Sequence, residues 1–122
     1  MSEQEILECN KLIAEFMGGI YSSDKFIINR DWIWLPYKNM CRISNLKYYS
    51  SWDWLMPAVS KIGKMYEDLY KQAFITKIPI PYDIETTYAN VICRNVTIEI
   101  EHLFERVVEF VKWYNKCQMM KC

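Results

Sequence analysis

Tyr48-Tyr49-Ser50-Ser51-Trp52-Asp53-Trp54-Leu55-Met56-Pro57-Ala58-Val59 decides how the middle of this chain folds. Ser50, Ser51 and Asp53 are residue types that accept hydrogen bonds from the unpaired N–H groups at a helix start. Pro57 has no N–H and is tolerated only within about the first turn, where no intrahelical donor is needed. A helix is therefore expected to start between Ser51 and Trp54. Leu55, Val59, Ile62, Tyr66, Leu69 and Tyr70 give it an apolar face running to about Ala73. Gly63 marks either a weak point or a close approach to another helix.

Upstream, Ile6, Leu7, Asn10, Ile13, Ala14 and Met17 lie near one helical stripe, widened by Leu12 and Phe16, which predicts a helix over Glu3 to Met17. Ser2 is its N-cap, and Gly18-Gly19 stops it because glycine readily adopts the left-handed C-cap conformation. Ser22 to Lys25 reads as a turn. Phe26 to Arg30 and Trp32 to Tyr37 read as extended, with Trp32 and Trp34 on one face and Ile33 and Leu35 on the other. Pro36 suits an edge or a strand end. Lys38-Asn39 is a turn, and Met40 to Ser44 returns antiparallel.

Downstream, Pro79 and Pro81 make Phe74 to Tyr82 an extended connector or edge. Thr86 to Cys93 is rich in β-branched and aromatic residues and reads as a short strand. A final helix is capped by Asn95 or Thr97, carries Glu99 and Glu101 in its first turn, and buries Ile100, Leu103, Phe104, Val107, Val111 and Tyr114, with Val108 and Phe110 alongside. It ends at Asn115-Lys116, and the tail from Cys117 to Cys122 frays. The expected architecture is α+β, a small antiparallel sheet packed against about three helices, in a single domain over residues 1–122.

The bulk composition narrows the function classes. Aromatic residues make up 16% of the chain, more than a small core needs, so some of them supply a pocket or an association surface. Formal net charge is zero, which disfavours duplex nucleic acid as a partner and removes the self-repulsion that keeps proteins apart. A homo-oligomer is expected. The five cysteines include no CxxC pair, so no zinc site is expected, and scattered thiols suit a reducing cytoplasm; Cys117 and Cys122 are expected to be exposed. No apolar run reaches the ~18 residues of a membrane span. The acidic Met1-Ser2-Glu3-Gln4-Glu5 lacks a signal-peptide pattern, so Asn95-Val96-Thr97 carries no meaning as a glycosylation sequon.

Candidate chemistry is sparse. His102 is the single histidine, and its helical neighbours Glu99 and Arg106 do not form a base-orienting triad. Phosphate-loop, dinucleotide and hydrolase motifs are absent, so no catalytic residue, metal or cofactor is expected. The aromatic collection is more informative. Trp52, Trp54 and Tyr49 offer faces for stacking a base, Arg42 and Arg30 offer guanidinium groups for phosphates, and Asp53 between two indoles offers a carboxylate for a base or ribose. The same rings serve equally as core or subunit interface, and Asp53 serves equally as a helix cap.

Three blocks, in this order, carry a family resemblance: Asn10-Lys11-Leu12-Ile13-Ala14-Glu15-Phe16-Met17-Gly18, then Leu46-Lys47-Tyr48-Tyr49-Ser50-Ser51-Trp52-Asp53-Trp54-Leu55-Met56-Pro57, then Val107-Val108-Glu109-Phe110-Val111-Lys112-Trp113-Tyr114-Asn115. Together they resemble a group of small uncharacterised proteins encoded by phages and mobile elements of Bacteroidetes-type bacteria. Lys64 to Val96 departs from the group's pattern. The resemblance implies a phage accessory context in the host bacterial cytoplasm. Small phage proteins without catalytic motifs are often inhibitors or sponges, and that analogy, with the aromatic and arginine clustering, leads to the expectation of a protein that is not an enzyme and counters host defence by sequestering a small nucleotide signal. The alternative is a module that binds a host or phage protein through an aromatic surface.

Overall fold

The computed structural model describes residues 2–21, 32–36, 39–92 and 99–120. Helix α1 spans Glu3–Phe16, with Ser2 Oγ accepting from the Glu5 N–H at 3.2 Å. It buries Cys9, Asn10, Ile13, Ala14 and Phe16. Its C-terminus is fully satisfied. Gly18, at φ +90°, donates its N–H to Glu15 O at 3.1 Å, and Gly19 donates to Ala14 O at 2.8 Å, the paired bonds of a Schellman stop. Met17 N–H takes Ile13 O at 2.9 Å, and the ammonium of Lys61 reaches across the fold to the remaining carbonyl, Phe16 O. All four carbonyls that a helix end leaves open are thereby used.

The stop also turns the chain into the sheet. A Cβ on Gly19 would sit 2.6 Å from Ile33 Cδ1 and 2.7 Å from Ala14 O. The isoleucine tip can rotate away, but the carbonyl is held by the bond that stops the helix. Gly19→Ala is therefore expected to destabilise the fold by about 1–3 kcal/mol, measurable as a lowered urea midpoint with unchanged slope.

The sheet has the strands β1 (Ile20–Tyr21), β2 (Trp32–Leu35) and β3 (Asn39–Arg42), antiparallel and in that order. Ile20 pairs with Trp34 and Trp34 with Met40; Ile33 pairs with Cys41. The expected alternation holds: Ile33 and Leu35 enter the core, while Trp34 is exposed. β1 was not anticipated, being two residues long immediately after the helix stop. The expected turn at Ser22 to Lys25 and strand at Phe26 to Arg30 lie outside the described residues. The antiparallel return begins at Asn39 and ends at Arg42, where a 3-10 turn at Ile43–Asn45 takes over.

Helix α2 runs Trp52–Thr76 from the N-cap Ser51. The start is as expected, but the Ser51 side chain makes no capping bond; its carbonyl instead accepts from Trp54 at 3.2 Å and Leu55 at 3.0 Å. Pro57 therefore falls in the second turn rather than the first, and the Asp53 carbonyl lacks the donor residue 57 would otherwise supply. α2 buries Leu55, Ala58, Val59 and Ile62. Gly63 faces open space rather than a neighbouring helix.

The segment expected as a strand at Thr86 to Cys93 is helical as far as Ile92, and Cys93 lies outside the described residues. Helix α3 spans Tyr82–Ile92, and the extended connector shortens to residues 77–81. Thr86 and Thr87 donate their hydroxyls to the carbonyls of Tyr82 and Asp83, each at 2.8 Å. These i−4 bonds let β-branched residues sit in a helix that tertiary packing favours. Tyr88 and Val91, three residues apart, face the core.

Helix α4, Ile100–Met120, packs against α1, α2 and α3. It buries Leu103, Phe104, Val107, Val108, Phe110 and Val111, the expected stripe. Glu99 O accepts from His102 and Leu103 at its start; the expected caps Asn95 and Thr97 lie outside the described residues. The helix continues past Asn115-Lys116 to Met120, and Cys117 is half-buried rather than in a frayed, exposed tail. Cys122 lies outside the described residues. Among the described residues the fold is a small α+β domain of four helices and an antiparallel sheet whose Ile33 and Leu35 join the helical core. No helix among the described residues is long and apolar enough to cross a membrane.

Candidate functional site

A cavity of about 720 Å³ opens between α2, the end of α1 and strand β2, lined by Met17, Leu35, Pro36, Tyr48, Asp53, Trp54, Pro57, Ser60, Lys61 and Lys64. Its volume is in the range of small-molecule sites. One wall is a single stripe of α2: positions 53, 57, 60, 61 and 64 recur at helical spacing. Along that stripe the chemistry changes. Asp53 stands in the first turn, where the helix dipole favours a carboxylate. Lys61 and Lys64 stand roughly 12–16 Å further along the axis at 1.5 Å per residue. The opposing surface is apolar and aromatic.

The two rings are locked together. Tyr48 and Trp54 meet edge to face with centroids 5.3 Å apart and planes at 89°. Tyr48 is buried, and burial, reinforced by Cys41 nearby, pushes its phenol up to about 12. It therefore presents a neutral O–H at neutral pH, able to donate or accept. Trp54 is half-buried against the core.

The two lysines are both exposed but differ in what they touch. Lys61 has its ammonium 4.4 Å from the centroid of Phe16 while bonding the Phe16 carbonyl. Partial desolvation lowers its pKa. This lysine therefore caps α1 and brings positive charge to the cavity wall together. Lys64 is exposed.

The structure gathers some of the expected site residues and separates others. Asp53 and Trp54 line the cavity. Trp52 is exposed and Tyr49 packs edge to face on Phe104 at 5.1 Å; neither belongs to the lining. Arg42 sits on the sheet, its guanidinium 5.2 Å from the ring centre of Trp32, its cross-strand partner, also off the cavity. Arg30 lies outside the described residues. Sequence reasoning passed over Lys61 and Lys64 as site residues. The signal that finds the lysines is their position on the Asp53–Pro57 stripe. His102 is exposed on α4, and no group of three metal-ligating side chains occurs among the described residues. Comparison with protein-family models, with characterised proteins and with solved structures finds no match for this chain.

Proposed function

We propose that this chain is a non-enzymatic binding protein that sequesters a small anionic, nucleotide-like molecule in the α2 cavity. As a phage accessory protein it would act in the host bacterial cytoplasm, withdrawing a signal used in host defence; that setting rests on the resemblance of the three sequence blocks. The observation that carries the binding reading is the polarity of the cavity wall. An apolar, aromatic surface faces a helix stripe with a carboxylate at one end and two ammonium groups at the other. Tyr48 and Trp54 supply contact for a planar ring, Lys64 and Lys61 for phosphate oxygens, and Asp53 for an amine or hydroxyl. Trp52, Tyr49 and Arg42 belong to the surroundings of this site rather than its wall.

Isothermal titration calorimetry against linear and cyclic signalling nucleotides tests the reading. Lys64→Glu is expected to weaken binding at least about tenfold without changing the melting temperature, since a hydrogen bond to a charged group is worth about 1.5–3 kcal/mol. Arg42→Ala is expected to leave affinity unchanged. Equal affinity for wild type and Lys64→Glu would rule the cavity out.

A second reading, a module that binds a host or phage protein, is favoured by the outer sheet face. Ile20, Trp34 and Met40 form one exposed cross-strand row there. Capture of a host protein that Trp34→Ala abolishes, with no nucleotide bound by wild type, would select it.

A further inference from the structure

Helix α2 outruns the core on which it packs. Its last fully buried residue is Ile62, and Met65, Tyr66 and Leu69 still pack against the core, yet it continues to Thr76, about 10 Å past Leu69 at 1.5 Å per residue. It forms an antiparallel hairpin with α3. Tyr66 packs on Tyr88 with centroids 5.4 Å apart and donates its hydroxyl to Glu85 at 3.3 Å. The hairpin tip carries Tyr70, Phe74, Ile75, Ile78 and Tyr82, all exposed; Phe74 and Tyr82 are 82% and 83% exposed.

Taking about 200 Å² for a fully exposed aromatic side chain and a little less for isoleucine, these five present roughly 700 Å² of apolar surface. Summed over the tip, that approaches the ~800 Å² each partner contributes to a stable interface. The charges beside it are segregated by sign: Lys77 closes α2, while Asp83 and Glu85 open α3. A two-fold contact places one copy's α2 end against its partner's α3 start, so that unlike charges meet on both sides. Zero formal net charge removes long-range repulsion between copies.

We propose that the α2–α3 hairpin tip is a homodimer interface whose occupant is the same tip of a second copy of this chain. The cavity at the other end of α2 stays open in such a dimer.

Sedimentation velocity over a concentration series tests this, with far-UV circular dichroism as the check on folding. Wild type is expected to dimerise. Phe74→Glu and, independently, Tyr82→Ser are each expected to raise the dimer dissociation constant at least about 30-fold, as loss of an interface anchor does. Both positions are exposed, so both variants keep the wild-type spectrum. Lys77→Glu and Asp83→Lys should each weaken the dimer, and the double variant should restore it. A wild type that stays monomeric throughout overturns the proposal, as does a dimer indifferent to Phe74→Glu and Tyr82→Ser. A monomer that captures a different protein through the tip overturns it in favour of a heterologous partner.

Discussion

Phe110→Ala is expected to destabilise the protein by about 3–5 kcal/mol, the cost of emptying a large buried aromatic site. Phe110 is 1% exposed and is where three helices meet. Its ring lies 6.0 Å from Phe16 of α1, 4.9 Å from Tyr88 of α3, and 5.6 Å from Trp113 of its own helix. It also stacks on Tyr114, with planes at 11° and centroids 6.4 Å apart. Truncation removes all four contacts, and neighbours as rigid as aromatic rings fill the void poorly. Against a total stability of about 5–15 kcal/mol for a domain, the loss takes a large share. It should appear as a melting temperature lowered by roughly 10–20 °C. Trp52→Ala supplies the contrast. That side chain is exposed, and its removal should cost less than about 1 kcal/mol. If the two variants melt together, the three-helix aromatic junction is not what holds the fold.

The second large effect is pH-dependent. Asn10 is buried between α1 and the turn that follows β3. Its Nδ2 donates to Leu46 O at 3.2 Å, while its Oδ1 has no hydrogen-bond partner among the described residues. The orientation is fixed, because a flipped amide would set oxygen against oxygen. In Asn10→Asp, an ionised carboxylate would face that carbonyl without a donor, a buried unpaired charge costing about 3–5 kcal/mol at pH 7. A protonated carboxyl can donate to Leu46 O in place of the amide. Burial raises the folded-state pKa of the new group above its unfolded value near 4, so the variant's stability is fully present below that value. It is lost as pH rises through the folded pKa. Urea titrations at pH 4 and pH 7 should show the variant close to wild type at the lower pH and far weaker at the higher. A deficit equal at both would show that the Leu46 contact does not govern the site.

Much of this fold is legible in the residues. The α1 stripe, its glycine stop, the start of α2 and the α4 stripe are each set by local pattern and by what caps and glycines do. The reading failed where tertiary packing overrode propensity. Thr86, Thr87 and Val91 belong to strand-forming types, yet Tyr88 and Val91 at helical spacing find the α2–α4 groove, and the threonine hydroxyls bond back to Tyr82 and Asp83. The residues put Pro57 within the first turn of α2, and the helix holds it in the second. The site was half legible. Asp53 and Trp54 sit at a helix start whose direction the sequence implies, so their arrival at one wall follows. Lys61 required knowing that α1 ends beside α2, a contact made over 45 residues of separation.

The proposed binding of a small anionic ligand in the cavity beside α2 is tested by ¹H–¹⁵N correlation spectra recorded during titration with signalling nucleotides. The chain has five tryptophans, each with one indole signal. Saturable shifts are expected at the Trp54 indole and at the backbone of Asp53, Lys61 and Lys64, with Trp34 and the α2–α3 tip unmoved. Spectra unchanged by every nucleotide, or shifts confined to the outer sheet face, would contradict it.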